Sequence, residues 1–234
     1  MTKTFLLAGG TSGVGRATVE LLADAGHRLL CACRNPDQLP ARPNVEPAPF
    51  EATDPNSSLA LPESLDGMVY FPGSIRLKPF HLLRDDEILE ELQINFLGAA
   101  RLLRQALPAL KNSGQASVVF FSTVAVSQGF PFHASIAAAK GALEGFARSL
   151  AAEFAPSIRL NCIAPSLTDT PLAKPFLNSE AKREACAERH PLQRVGEPRE
   201  TAKLVHFLLS ADSAFMTGQV LGLDGGLSTL RTQR

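Results

Sequence analysis

The glycines near the start of the chain are the first residues whose spacing suggests a chemistry. The segment 9–15 reads Gly-Gly-Thr-Ser-Gly-Val-Gly; it follows a short apolar run and leads directly into a stretch of helical period. Glycines let the backbone turn tightly and approach a pyrophosphate, which the free N–H groups of a helix N-terminus then stabilise. An ordinary glycine-rich turn is the alternative. The residues predicted to hold the phosphates are Gly9, Thr11, Ser12, Gly13, Val14 and Gly15.

Two arginines lie where the adenosine half of such a dinucleotide would be recognised. The second apolar run is followed by Arg34, nineteen residues after Gly15, where an Asp or Glu would bind the ribose 2′-hydroxyl of NAD(H). An arginine there suits a 2′-phosphate, and Arg16 could supply a second positive charge. Asp37 lies three residues beyond the position of the acidic residue that binds the 2′-hydroxyl, so it weakens this preference only slightly. NADP(H) is therefore predicted in preference to NAD(H), with two solvated surface arginines as the alternative.

The elements that must position these residues are visible as short apolar runs alternating with segments of helical period. Buried strands are predicted at residues 4–8, 29–33, 68–71, 118–121, 160–164 and 220–223. The proline-rich stretch 36–55 allows only an imperfect strand, near residues 45–50. Strand and helix alternating without a linker predict an α/β fold: one Rossmann-type domain over residues 1–234, a doubly wound parallel sheet with helices on both faces.

Two of the intervening helices carry clear apolar stripes. The first has apolar residues at 14, 17, 21 and 25, and the second at 143, 146, 147, 150 and 154, with Pro156 ending the second helix. Both stripes repeat at the spacing of one helix face. These helices are therefore predicted to pack one face against the sheet.

Composition excludes several classes of partner. The 234 residues contain 23 Lys and Arg against 23 Asp and Glu, which disfavours binding to nucleic acid or to an anionic membrane surface. No apolar stretch approaches the length of a membrane span, and the run at residues 5–8 is too short for a secretory signal. The four cysteines, 31, 33, 162 and 186, fit neither a disulfide framework nor a zinc site. We therefore expect a cytoplasmic protein with reduced thiols and no metal.

With these motifs in place, the chain resembles the classical short-chain dehydrogenase/reductase family over nearly its full length. The glycine segment resembles the family's T-G-x-x-x-G-x-G, with Ala8 in the Thr position, and Glu51 falls where an adenine-contacting Asp lies. Segment 165–170 resembles the P-G segment, with Ser166 in place of Gly. Segments 194–198 and 217–226 resemble the family's C-terminal signature. The resemblance implies that Gly73, Pro165, Thr168 and Thr170 also contact the cofactor.

The resemblance also implies a catalytic set. Asn95 matches the helix asparagine that holds a water in the proton relay, and Lys140 matches the lysine that binds the nicotinamide ribose. Counting back thirteen residues from position 136 places Thr123 at the catalytic serine, with Ser122 as the alternative if the register slips by one.

The family's proton donor is missing. The Y-x-x-x-K motif reads Ile136-Ala-Ala-Ala-Lys140, and the chain's single tyrosine, Tyr70, lies instead where the family's N-N-A-G motif begins. His133, three residues before Ile136, could be a relocated acid if the helix starts early, or it could line the pocket or cap the helix. Ser135 is a weaker candidate because a hydroxyl is a poor acid.

Substrate specificity and assembly follow from the same resemblance. Segment 171–191, which contains His190, matches the family's mobile substrate loop. Small residues on the helix after Ile136 would suit a twofold contact, so a homodimer or homotetramer is expected.

Two functions remain open at this point. The first is an NADP(H)-dependent oxidoreductase acting on a small or medium apolar carbonyl, enone or imine. The second is a catalytically impaired or inactive protein of this fold that serves as a cofactor sensor or structural subunit.

Overall fold

The computed structural model, which describes residues 2–232, contains one seven-stranded sheet in the order β3-β2-β1-β4-β5-β6-β7. Every neighbouring pair is parallel. The strands are β1 (Thr4–Ala8), β2 (Arg28–Cys33), β3 (Val45–Pro49), β4 (Gly67–Tyr70), β5 (Ala116–Phe121), β6 (Ile158–Pro165) and β7 (Val220–Leu223). The predicted fold class is confirmed, and the first and last two residues of the predicted domain lie outside the described range.

The proline-rich third strand is present because it lies at the edge of the sheet. Pro47 and Pro49 lack a backbone N–H, and a strand with only one neighbour does not need every donor. The predicted strand near residues 45–50 is therefore confirmed, although its sequence would not be tolerated in the middle of the sheet.

Six α-helices cover the two faces of the sheet within the described chain. They are α1 (Gly13–Asp24), α2 (Asp85–Leu92), α3 (Gly98–Ser113), α4 (Ala134–Phe154), α5 (Glu180–Glu188) and α6 (Pro198–Leu209). Two hydrophobic clusters result, one on each face, since successive residues of a fully buried strand point to opposite sides.

The first helix corrects the predicted stripe. α1 turns Thr18, Val19 and Leu22 toward the core, whereas Ala17 and Leu21 are only half-buried beside the start of α6. Some apolar residues of α1 pack against the sheet and others lie beside α6. The spacing of apolar residues alone therefore did not identify the face of α1 that is buried against the sheet.

In α4 the predicted stripe faces the core, with Leu143, Ala147 and Phe154 buried. The helix ends at Phe154, just before Pro156, as predicted.

A π-helical turn, Gln93–Leu97, joins α2 to α3 and carries Asn95. Such turns change the register of the helical hydrogen bonds and release a carbonyl from the regular ladder. The hydroxyl of Tyr70, at the end of β4, donates a 2.7 Å hydrogen bond to the carbonyl of Ile94 within this turn. The end of the central strand β4 is thereby tied to the turn that presents Asn95.

Candidate active site

A cavity of about 600 Å³ opens at the carboxyl ends of the strands. β2 and β3 lie on one side of β1, and β4 lies on the other side. The strand order therefore reverses at β1, and the cavity lies at this point. This topological switch point is where open parallel sheets bind ligands. Every residue predicted for catalysis or cofactor binding lines this cavity except Arg16 and the weaker acid candidate Ser135. The hydroxyl of Ser135 is buried and has no hydrogen-bond partner among the described residues.

The glycine segment forms the floor of one end of the cavity. Gly9 and Gly13 have φ values of +86° and +52°, and a Cβ on Gly15 would lie 2.0 Å from the carbonyl oxygen of Gly9. No other residue type fits this turn without movement of the backbone. Ser12 is the N-cap of α1, and its side chain makes no capping hydrogen bond. The first N–H groups of α1 therefore remain available to an anion, and this cradle fits a pyrophosphate.

Arg34, after β2, and Glu51, after β3, lie close together in the lining of the cavity. The two side chains approach to 3.9 Å, and that of Arg34 is 70% exposed. Hydrogen bonds from Thr53 lower the pKa of Glu51 in spite of its partial desolvation, and Arg34 adds to the effect. The guanidinium of Arg34 is therefore an exposed positive charge in the cavity wall.

Arg16 is the exception among the residues predicted to bind the cofactor. Its Nε donates to Glu20, one helical turn later at 3.0 Å, and Arg16 does not line the cavity. The i, i+4 spacing on the exposed face of α1 gives the guanidinium a nearer partner than the cofactor. The expected second positive charge is therefore not placed at the site.

Lys140 is buried at the centre of the cavity wall. Its Nζ donates a 2.7 Å hydrogen bond to the carbonyl of Phe121, which leaves its other protons for a ligand. Desolvation lowers the pKa of Lys140 to about 8, although Cys162 and Glu91 act in the opposite direction.

Asn95 is fixed beside Lys140. Its side-chain nitrogen donates to the carbonyl of Glu91 at 3.0 Å, and its oxygen accepts from the backbone N–H of Ser74 at 3.3 Å. Both side chains border Gly73, where a Cβ would lie 2.8 Å from Asn95 Oδ1 and 3.6 Å from Lys140 Nζ. Gly73, the glycine retained from the N-N-A-G motif, is therefore needed here because a side chain at this position would collide with Asn95.

The two hydroxyls at the end of β5 have different partners. Ser122 is buried and donates to Glu144 of α4 at 2.5 Å. Thr123 lines the cavity, and its Oγ1 accepts from the N–H of Ala125 at 3.3 Å, so its own proton remains free to donate. The geometry favours Thr123 over Ser122 as the hydroxyl that meets a substrate.

Ile136 fills the position of the missing acid. It is 3% exposed and lines the cavity one helical turn before Lys140. The helix begins at Ala134, later than the relocated-acid hypothesis for His133 required, and His133 is its N-cap. The Nδ1 of His133 faces the carbonyl of Pro131 at 2.8 Å. His133 therefore lines the cavity from a position outside α4.

The predicted substrate loop folds into a short 3-10 helix, Pro171–Phe176, followed by α5. At the end of α5, His190 is 3% exposed, and its Nε2 lies 2.8 Å from Ser166 Oγ. Both residues line the cavity. Sequence reasoning noted Ser166 only as a departure from glycine and His190 only as a loop residue, because nothing in the linear order pairs them.

Residues 2–232 contain neither a helix that could cross a membrane nor a cluster of metal-binding side chains. No helix in that range combines the length and apolarity needed to cross a membrane. No group of three or more His, Cys, Asp or Glu side chains in the same range could hold a metal ion.

Comparison with known proteins identifies the family. The family model described as enoyl-(acyl carrier protein) reductase matches residues 8–228. A tropinone reductase homologue of Arabidopsis thaliana is 35% identical, covering 97% of this chain and 92% of its own length. The 3-oxoacyl-[acyl-carrier-protein] reductase of Thermotoga maritima is 28% identical, with 96% and 97% covered.

Solved structures agree with the sequence relatives. A short-chain type dehydrogenase/reductase from Mycobacterium ulcerans has a TM-score of 0.89 at 27% identity and covers 98% of this chain and 90% of its own. The ligand-free aldohexose dehydrogenase of Thermoplasma acidophilum has a TM-score of 0.88 at 26% identity, with 100% and 98% covered. The chain belongs to the short-chain dehydrogenase/reductase family, whose members are oxidoreductases that use nicotinamide dinucleotides.

Proposed function

We propose that the protein is an NADP(H)-dependent oxidoreductase that reduces a small or medium apolar carbonyl, enone or imine. The observation that carries this proposal is the convergence of the glycine cradle, Arg34, Lys140, Asn95 and Thr123 on one cavity. A cradle for pyrophosphate and a separate arginine for a 2′-phosphate are the two halves of NADP(H) recognition. An apolar substrate is supported by the aromatic and aliphatic lining near the loop, which includes Phe130, Leu172 and Phe176.

Each side chain of the set has a defined task. A bound nicotinamide supplies the hydride. Lys140 keeps protons beyond its bond to Phe121, and these donate to the ribose hydroxyls. Thr123 donates its hydroxyl proton as a hydrogen bond to the acceptor atom of the substrate and so polarises it. Asn95 holds a water behind Lys140. Residues 171–191 close over the substrate and determine its shape.

The rival function is a dinucleotide-binding protein without turnover, and the observation that favours it is the buried Ile136. Loss of one positioned acid slows a reaction by about 10²- to 10⁴-fold and leaves hydride positioning intact. Consumption of NADPH with panels of ketones, enones and imines decides between the two. Tight NADPH binding with no turnover of any panel member would establish the rival.

Cofactor preference is tested at Arg34. We expect Arg34→Asp to lower the affinity ratio of NADPH over NADH by about 10- to 100-fold, since a carboxylate repels the 2′-phosphate and accepts from a free 2′-hydroxyl. Titration calorimetry with both dinucleotides measures the ratio. Arg42→Gln is the matched control, because Arg42 is also an exposed arginine but pairs with Asp24, away from the cavity. An unchanged ratio in Arg34→Asp would contradict the NADP(H) assignment.

We also propose that the chain assembles as a homodimer or homotetramer. β7 is an edge strand, and Phe215, a few residues before it, is fully exposed. A second copy that covers this edge would remove both unpaired backbone and apolar surface from water. Sedimentation velocity gives the mass, and a monomer at micromolar concentration would contradict the proposal.

A further inference from the structure

The hydrogen bonds around His190 define which of its ring nitrogens carries a proton. Nδ1 lies 2.8 Å from the carbonyl oxygen of Cys186, which can only accept, so Nδ1 must donate. In the neutral ring Nε2 is then an acceptor, and it lies 2.8 Å from Ser166 Oγ. Ser166 therefore donates its hydroxyl proton to His190. The structure therefore contains an ordered Ser-His pair in which His190 is buried and Ser166 is half-buried.

The pair lines the same cavity as the residue expected to polarise the substrate. β5 and β6 are neighbouring parallel strands, with Phe121 opposite Ile163. Thr123 follows the carboxyl end of β5, and Ser166 follows that of β6. Thr123, Ser166 and Ile136 all line the cavity.

The surroundings of His190 hold it in place. A Cβ on Gly225 would lie 3.6 Å from the His190 side chain, and the carbonyl of His190 accepts from Gln193 Nε2 at 2.6 Å. Asp224 is the charged group that faces His190 from the end of β7. Burial opposes ionisation of Asp224, but hydrogen bonds from Ser228 and Gly226 and the nearby His190 lower its pKa.

We propose that Ser166 and His190 form a proton relay that gives the substrate the proton Ile136 cannot supply. The inference rests on the proposed reductase function. When His190 is an imidazolium, Nδ1 still donates to Cys186, and Nε2 now donates to Ser166 Oγ. The hydroxyl proton of Ser166 is then free to point at the substrate. Ser166 is the catalytic residue, and His190 is the positioning residue that holds the proton.

The relay balances for a ketone. A nicotinamide held in the cavity would supply the hydride, and with it the electron pair, for the new C–H bond at the carbonyl carbon. The carbonyl oxygen takes the proton of Ser166 Oγ as the C=O π bond breaks. Ser166 takes the Nε2 proton of His190, and the neutral imidazole that remains is reprotonated from solvent. The products are the alcohol and the oxidised cofactor.

Turnover of Ser166→Ala and His190→Asn tests the relay. In His190→Asn, the side-chain amide keeps a donor for the Cys186 carbonyl but cannot take up and release the relayed proton. Ser166→Ala removes the hydroxyl and leaves the buried His190 ring unchanged. We expect kcat to fall by about 10²-fold in both variants while the NADPH dissociation constant changes by less than about threefold. At saturating NADPH, the wild-type kcat should fall as pH rises and imidazolium is lost, and this limb of the pH profile should be absent from both variants.

Two matched histidine variants accompany these measurements. His81→Gln changes an exposed histidine that does not line the cavity, and its rate should equal that of the wild type. His133→Gln tests the other histidine in the cavity. Loss of rate and of the pH limb in His133→Gln alone would assign the proton to His133 and overturn the relay.

A spectroscopic measurement tests the pair without turnover. Nitrogen-15 NMR of labelled histidine should show the Nδ1–H tautomer for His190 at high pH, and the Nε2 resonance should move in Ser166→Ala. The opposite tautomer, or an Nε2 resonance that Ser166→Ala leaves in place, would overturn the pair. A wild type with this signature but no turnover would instead contradict the proposed reductase function, and turnover unaffected by either variant would overturn the relay alone.

Discussion

At the scale of single residues, Ile136 leaves the family assignment unchanged but removes the side chain that the family's motif provides as proton donor. The side chain lies one turn before Lys140 on the buried face of α4, and an aliphatic group there can neither donate nor accept a proton. Everything around it, including Thr123 and the glycine cradle, retains the groups needed to hold a cofactor and polarise an acceptor. The substitution therefore changes the source of the proton and not the site as a whole.

Restoring the tyrosine tests this interpretation. We expect Ile136→Tyr to raise kcat for ketone reduction by about 10²-fold or more, because a phenol next to the Lys140 ammonium is a positioned acid. Steady-state NADPH oxidation measures the change. Ile136→Phe is the matched control, since it adds the ring without the hydroxyl. Equal rates in the two variants would show that the acid is not what the wild-type site lacks.

Lys140 gives a pH dependence whose direction follows from its burial. Desolvation lowers its pKa to about 8, so the ammonium is lost within an accessible range. The charged side chain has three protons, one of which is held by Phe121. NADPH affinity should therefore be greatest below pH 8 and fall by up to about tenfold per pH unit well above it. Fluorescence titration between pH 7 and pH 9.5 measures this. Lys140→Met should bind weakly with no such dependence, and a slope that persists in Lys140→Met would exclude Lys140 as its source.

At the scale of elements, the contact between β4 and the π-helical turn supports the position of Asn95. Tyr70 occupies the start of the family's N-N-A-G motif and donates to the Ile94 carbonyl, one residue before Asn95. Gly98 permits the approach, because a Cβ there would lie 2.3 Å from the Tyr70 hydroxyl and 2.7 Å from the carbonyl of Ala52. The single tyrosine is thus a structural support for the turn, in the place of the lost asparagine.

Removing one oxygen atom tests this support. Tyr70→Phe leaves the carbonyl of the half-buried Ile94 without its Tyr70 donor, and we expect a loss of about 1 to 3 kcal/mol in the free energy of unfolding, measured by urea denaturation. Because the family role belongs to Asn95, the NADPH dissociation constant should change less than kcat. A stability equal to that of the wild type would show that the hydrogen bond does not support the turn.

The same tyrosine reports directly on unfolding, because the chain has one Tyr and no Trp. Burial raises the pKa of Tyr70 far above its ordinary value, whereas the unfolded chain ionises near pH 10. The stability linked to the protonated phenol is therefore lost as pH rises above about 10. Phenolate absorbance should appear together with the loss of far-ultraviolet circular dichroism. Phenolate that forms in the folded protein would contradict the burial of Tyr70.

At the scale of the whole molecule, the parallel sheet brings distant segments to one edge. The glycine segment after β1, Arg34 after β2, Thr123 after β5 and Ser166 after β6 are spread over more than half the sequence. All of them meet because every parallel strand ends at the same edge, and the switch in strand order opens a crevice there. The loop 171–191 then covers this crevice from one side.

The sequence by itself predicted the succession of strands and helices, the α/β class and the glycine cradle, because these depend on local period and spacing. The candidate positions Asn95, Thr123 and Lys140 came from the resemblance of the sequence to the family's motifs. Only the tertiary structure decided which face of α1 is buried, that Arg16 turns to Glu20 and away from the cofactor cavity, and that Ser122 pairs with Glu144. It alone also placed His190 against Ser166 and Tyr70 against Ile94. Partners 24 residues apart in the chain meet through the packing of separate elements, and no local pattern encodes such a contact.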